Sequence, residues 1–252
     1  MDIVRVKTVD AVSMVDIFKT LNEFIPEVTL DFTEEGLKIS GIDASKVVLI
    51  NVFLPKSYFD EYDVNGEERV GVNLEDLTDL LSGVTKNDSL ALSGEGSGEG
   101  NTLTIEIEGE YYRKFAIPRL QVESVELPQT DLEFPFRAKL ITPTFTEIIS
   151  GFEDLGADAV RFKSNDGKLT LTAYSDVVES TIELSTENGG LLEAEGSDAE
   201  SVYGLEYLAN TTRLKRASGS MEIRFGTQLP LKLRYEMPQG GYNDFYIAPR
   251  AE

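Results

Sequence analysis

Neither cysteine nor histidine occurs among the 252 residues. The first absence excludes disulfides and thiolate chemistry, and the second removes the commonest general base and metal ligand. Positive charge is scarce as well: 23 lysines and arginines stand against 45 aspartates and glutamates, a formal net charge of −22. That balance favours solubility and repels anionic partners at long range, although a basic surface confined to one face still binds phosphates when the rest of the molecule points away. No apolar run approaches the roughly 18–20 residues that span a membrane. The N-terminal Met1-Asp2-Ile3-Val4-Arg5-Val6-Lys7 alternates charged and apolar residues where a secretory signal has a continuous apolar stretch. The expected location is the cytoplasm, and no metal or other cofactor is expected.

What is present is a duplication. Gly36-Leu37-Lys38-Ile39 is matched by Gly167-Lys168-Leu169-Thr170, Gly71-Val72-Asn73-Leu74 by Gly204-Leu205-Glu206-Tyr207, and Phe115-Ala116-Ile117-Pro118 by Tyr246-Ile247-Ala248-Pro249. Each partner lies roughly 130 residues further on, in the same order. Solenoid units run to about 20–50 residues, so this period is that of a whole domain. With 41% hydrophobic and 27% charged residues, the chain has the profile of a globular protein long enough for two cores.

Each half reads as α+β. A strand at Val4 and Val6 precedes a helix beginning after Asp10, where Val12, Val15, Phe18 and Leu21 recur at three- and four-residue spacing until Pro26. A meander of strands follows through Val28–Phe32, Leu37–Ser40 and Lys46–Phe53. Asn73 is the expected cap of a second helix carrying Leu74, Leu77, Leu80, Leu81 and Val84. Two strands around residues 90–92 and 103–107 make a hairpin whose glycine-rich tip carries two glutamates, enters no helix and lacks a phosphate-binding ending. The second half repeats this order: a strand at Phe136–Ile141, a helix from 143 to about 152, strands around Val160, Leu169 and Ile182, a helix from 204 to about 213, then strands at 221–225, 231–235 and 245–247. Antiparallel sheets with few helices are expected, with a first domain at residues 1–118, a polar, proline-containing linker at 119–134 and a second domain at 135–252. Sheets of this kind leave strand edges that need covering, and a closed ring of subunits is one way to cover them.

These residues resemble a known family, the sliding clamps of the proliferating cell nuclear antigen (PCNA) type, and within it the archaeal clamps. The likeness covers essentially the whole chain. It rests on Gly41-Ile42-Asp43-Ala44-Ser45-Lys46-Val47-Val48-Leu49, Gly71-Val72-Asn73-Leu74, Leu127-Pro128, Pro230-Leu231-Lys232-Leu233 and Tyr246-Ile247-Ala248-Pro249-Arg250. Together with residues 203–212, the last of these is most similar to one subunit type of the crenarchaeal clamps built from different chains.

The resemblance implies a DNA clamp fold: two domains per chain and three chains in a ring, with sheets outside and helices lining a hole through which duplex DNA passes. It also implies a nucleoid-associated processivity factor without catalysis, which tethers DNA polymerase, flap endonuclease and ligase for replication and repair and is placed by a clamp loader. Carried over by position, the partner-motif pocket is Ile42, Val47, Leu49, Val125, Leu127, Pro128, Pro230, Tyr246, Ile247, Ala248 and Pro249. The DNA-facing cations are Lys19, Lys86, Arg213, Lys215 and Arg216, and the third helix offers none. Tyr111, Arg113, Phe115, Ile117, Val178, Thr181 and Glu183 fall at the implied contacts with sister subunits.

Read without the resemblance, Val47 and Leu49 are ordinary strand-core residues, and the cations at the end of the fourth helix complement its dipole. Two other functions stay open on that basis. One is a hydrolase using paired carboxylates, although no motif marks out a pair. The other is a tandem β-rich scaffold module with no role on DNA.

Overall fold

The computed structural model describes residues 2–95, 102–121 and 132–250. The chain falls into two compact units, one drawn from Met1–Ala44, Ile50–Leu127 and Met237–Tyr242, the other from Ser45–Leu49, Pro128–Glu236 and Asn243–Glu252. The first series of elements is β1 (Asp2–Thr8), α1 (Ala11–Asn22), β2 (Glu27–Phe32), β3 (Gly36–Ile42), β4 (Val48–Pro55), β5 (Glu61–Val64), β6 (Glu68–Asn73), α2 (Leu74–Leu80), β7 (Ser89–Glu95), β8 (Thr102–Glu108) and β9 (Tyr112–Pro118). The second is β10 (Phe136–Ile141), α3 (Thr142–Asp154), β11 (Ala159–Asn165), β12 (Lys168–Tyr174), β13 (Glu179–Leu184), β14 (Glu193–Gly196), β15 (Ala199–Gly204), α4 (Leu205–Thr211), β16 (Ser220–Phe225), β17 (Leu231–Glu236) and β18 (Tyr242–Ile247).

Both series run strand, helix, five strands, helix, three strands. The strand order repeats as well: β5-β1-β7-β8-β9 and β4-β3-β2-β6 in the first, β14-β10-β16-β17-β18 and β13-β12-β11-β15 in the second. The registered pairs are antiparallel, as between β8 and β9 or β12 and β13. The sequence repeat is therefore a repeat of topology, and the protein is α+β.

Local chemistry explains the boundaries. Asp10 caps α1 by accepting the Ser13 N–H at 3.3 Å, and Asn73 caps α2 by accepting the Asp76 N–H at 3.0 Å. Ala11, Met14, Phe18 and Leu21 of α1 are buried in one stripe, and α1 and α2 pack on each other as α3 and α4 do. In β4, Val48, Ile50, Val52 and Leu54 are fully buried on one face, while Leu49, Asn51 and Phe53 are half-buried on the other. Each such buried aliphatic side chain contributes about 1.5–3 kcal/mol.

Some elements differ from the sequence expectation. α2 stops at Leu80, short of Val84, because the chain tightens through Leu81 and Ser82 into Gly83. α4 ends at Thr211, and Arg213, Lys215 and Arg216 stand on a separate 3-10 turn, Thr212–Arg216. The cause is local: the hydroxyls of Thr211 and Thr212 donate back to the Leu208 and Ala209 carbonyls, both at 2.7 Å, which favours tightening of the last turn. Strands β5, β6, β14 and β15 were not foreseen: β5 and β14 have no buried residues to leave an apolar signature, and β6 and β15 run directly into the helices that follow them. The glycine-rich tip at 96–101 and most of the linker, 122–131, lie outside the described residues.

Candidate functional site

Past β18 the chain does not simply end its sheet. The Ala248 N–H donates to the Val47 carbonyl at 2.9 Å, and two residues on the Arg250 N–H donates to the Val202 carbonyl at 2.8 Å. The tail is thus tied alternately to the segment before β4 and to β15. Lys46 makes the first tie possible by taking a left-handed conformation, φ 59°, immediately before Val47. Beside the tail, Gly204 opens α4, and a Cβ there would lie 2.9 Å from the Tyr207 ring. A cavity of about 590 Å³ results, all within the second unit. Val47, Leu205, Tyr207, Ala209, Ala248 and Pro249 supply its apolar lining, and Glu153, Asp158, Glu206, Asn210 and Arg250 its polar lining.

Of the residues expected to form a partner pocket, the structure brings Val47, Ala248 and Pro249 together in this cavity. Leu49, Pro230 and Tyr246 are half-buried in the same unit but do not line it, and Ile42 is half-buried at the end of β3 in the first unit. Val47 and Leu49 are accordingly not core residues; the buried row of β4 is the alternate one, beginning at Val48. Ile247 requires a correction. It is fully buried, because strand alternation turns Phe245 and Ile247 inward and leaves Tyr246 and Ala248 outward. Val125, Leu127 and Pro128 lie outside the described residues.

Tyr246 has its own support. The Lys232 ammonium lies 5.1 Å from its ring centroid and 3.3 Å from Asp244, which is 1% exposed and accepts a two-pronged pair from Arg234 at 2.7 and 2.6 Å. Further along the same sheet, Glu222 takes charge-assisted bonds from Arg137 and Arg224. Burial alone would raise its pKa, but the two guanidiniums prevail and hold the carboxyl below its ordinary value.

The five cations expected to face DNA come from three segments, two in the first unit and one in the second. Lys19 is half-buried in the last turn of α1, Lys86 is exposed in the loop after α2, and Arg213, Lys215 and Arg216 are exposed together. Lys215 and Arg216 share a groove with Glu147 and Asp154 of α3, a helix with no base anywhere along it. Among the described residues no group of three carboxylates is arranged to hold a metal ion.

The residues expected at subunit contacts fall on two terminal strands, β9 and β13, each at the end of its sheet. Tyr111 is 65% exposed just before β9, Arg113 is half-buried, and Phe115 and Ile117 are half-buried and buried. Arg113 donates to Asp88 at 3.2 Å; the Thr85 N–H and then Arg113 hold that carboxyl below its usual range. Val178 is exposed just before β13, while Thr181 meets the Thr172 hydroxyl and Glu183 pairs with Lys168 at 3.0 Å.

Comparison with known proteins agrees with this topology. Residues 3–129 match the family model described as proliferating cell nuclear antigen, N-terminal domain. The chain belongs to the PCNA family. It is 57% identical to DNA polymerase sliding clamp 3 of Sulfurisphaera tokodaii over 98% of this chain and all of that one, and 49% identical to DNA polymerase sliding clamp 2 of Sulfolobus acidocaldarius over the same shares. A crystal structure of a PCNA2-PCNA3 complex from Sulfolobus tokodaii superposes with a TM-score of 0.93 at 57% identity, covering 98% of this chain and all of that one.

As a PCNA chain, the protein shows a cavity wider than its sequence motifs foretold. Leu205, Tyr207, Ala209 and Asn210 lie within the stretch that resembles the family, yet their spacing reads only as a helix face. Glu153 and Asp158 carry no pattern at all, since isolated acids in so acidic a chain read as solvated surface, and Glu206, though inside the 203–212 stretch, reads there only as an acid in the first turn of a helix. Gly204 was the available signal: a glycine between a buried tyrosine and a helix marks a place where another segment approaches.

Proposed function

We infer that the chain is a subunit of a DNA polymerase sliding clamp, a part without catalytic work of its own that encircles duplex DNA and holds replication and repair enzymes beside it. The full-length likeness to proteins of that name carries this reading. A tether of this kind raises the local concentration of an enzyme at its substrate while its own grip on DNA stays weak. No observation favours the scaffold or hydrolase reading.

The finer assignments are proposals. Residues 1–118 and 135–252 act as the two clamp domains, joined by 119–134. Polymerase, flap endonuclease, ligase and clamp loader dock a short apolar motif against Val47, Ala248 and Pro249, with Leu49, Pro230 and Tyr246 extending the surface. Ile42, Val125, Leu127 and Pro128 join them on family resemblance. Strands β9 and β13 continue into sister subunits, and Lys19, Lys86, Arg213, Lys215 and Arg216 meet phosphates. A clamp at work in this way belongs in the cytoplasm, at the nucleoid.

The ring is mixed on this account. A homotrimer would present three copies of the Arg213, Lys215 and Arg216 cluster beside the acidic α3, and phosphate affinity scales with the number of cationic contacts. Primer extension on circular template, with loader and polymerase, tests function and composition together. Extension is expected to be poor with this chain alone and long once its sister chains are added. No extension with any combination would overturn the clamp reading, and equal extension by the lone chain would overturn the mixed ring only.

A further inference from the structure

The sequence holds two Asn-Gly pairs, Asn65-Gly66 and Asn188-Gly189. In such a pair the glycine amide nitrogen closes readily on the side-chain carboxamide carbon, because no Cβ stands in the way. Both asparagines are exposed, so access to water does not separate them. Hydrogen bonding does. The Asn188 carboxamide is held at both ends: its Oδ1 accepts the Ser185 N–H at 3.0 Å and the Gly190 N–H at 2.9 Å, and its Nδ2 donates to the Glu183 carbonyl at 3.0 Å. Among the described residues nothing bonds to the Asn65 carboxamide, and the Gly66 N–H makes no backbone hydrogen bond. Gly66 lies at φ 84° in the turn between β5 and β6, and a Cβ built there would meet nothing within 4 Å. The nucleophile and the electrophile of the first pair are thus both unengaged, in open space.

We propose that Asn65-Gly66 is a site of spontaneous deamidation that marks the age of this chain, and that Asn188-Gly189 is protected by its bonds. The Gly66 nitrogen gives up its proton to solvent base and attacks Asn65 Cγ. The new N–Cγ bond closes a five-membered succinimide, the bond from Cγ to Nδ2 breaks, and the nitrogen leaves as ammonia after taking a proton from water. Water then opens the imide on either side: cleavage at Cγ leaves aspartate, and cleavage at the main-chain carbonyl carbon leaves isoaspartate. Water is taken up and ammonia released, with no oxidation or reduction. Each event exchanges a neutral amide for a carboxylate beside Asp63, Glu67 and Glu68. The isoaspartate route also lengthens the main chain by a methylene shortly before β6.

Peptide mapping by mass spectrometry tests this on the full chain, kept folded in one series and unfolded in guanidinium chloride in a parallel one. The readout is amide-to-acid conversion at each asparagine, followed with time. In the folded chain Asn65 is expected to convert about tenfold faster than Asn188, since the Asn188 carboxamide must first break its hydrogen bonds. In the unfolded chain the two rates are expected to converge. Equal rates in the folded chain, faster conversion at Asn188, or no conversion at Asn65 overturns the proposal. A difference of the same size in the unfolded chain also overturns it, because neighbouring sequence would then be the cause.

Discussion

At the scale of single residues, the second unit is stabilised by buried charges that are tolerable only because they are matched. Asp244 is 1% exposed between Lys232 and Arg234, and Lys232 is itself buried. Removing one partner of a buried pair strands the other, which typically costs about 3–5 kcal/mol. Asp244→Ala is therefore expected to lower unfolding free energy by about 3 kcal/mol in urea titration, the lower end because Arg234 reaches solvent. A loss below about 1 kcal/mol would show the triad to be incidental. Acid acts on the same principle. Glu222 and Glu236 both have folded pKa values below their ordinary ones: burial opposes this, and Arg224 and Arg137 for the first, Lys139 and Ser220 for the second, overcome it. A group with a depressed folded pKa contributes stability that is complete above its unfolded pKa, about 4.3 for glutamate, and is lost as pH falls through the folded value. The melting temperature is thus expected to hold from neutrality to about pH 5 and to fall below it, with a smaller fall in Glu222→Gln. Ile247 carries a different lesson. A charge there tests folding, because the residue is core; Tyr246, one position away, is where a substitution tests docking.

At the scale of elements, burial made much of the fold legible. Strands with one buried face, such as β4 and β10, were readable from alternation, and α1 and α3 from their three- and four-residue stripes. Strands β5 and β14 were not, because neither has a buried face to leave a trace, and β6 and β15 were missed although both bury residues, since each runs directly into a helix. The candidate site was half legible for a related reason. Val47, Ala248 and Pro249 sit in motifs, whereas Glu153 reaches the cavity from the far end of α3 and Asp158 from the loop after it, which no local pattern encodes. Turn chemistry was the most local signal. Asp166 and Gly167 join β11 to β12 with φ of 49° and 76°, the two left-handed residues that a tight hairpin needs. Gly167→Val places a β-branched side chain at that φ and is expected to cost about 1–3 kcal/mol. Gly167→Asn, which tolerates the conformation, is expected to cost less, and equal losses by thermal unfolding would remove backbone strain as the cause.

At the scale of the whole molecule, the duplication was the strongest signal in the sequence, and it returned as two series of elements with the same order and the same strand neighbours. Net charge bears on the proposed DNA role only through contact. A value of −22 argues against a nucleic-acid partner only if affinity comes from contact, and a ring that encloses DNA is retained by topology. That distinction gives the most direct test. The chain, with its sister subunits and loader, is placed on nicked circular DNA, freed of loader, and separated from unbound protein by gel filtration, before and after the circle is cut once by a restriction enzyme. The account predicts retention on the circle, little affected by moderate salt, and release after linearisation as the ring slides off the ends. Equal retention on circular and linear DNA, or loss from both at the same salt, would contradict it.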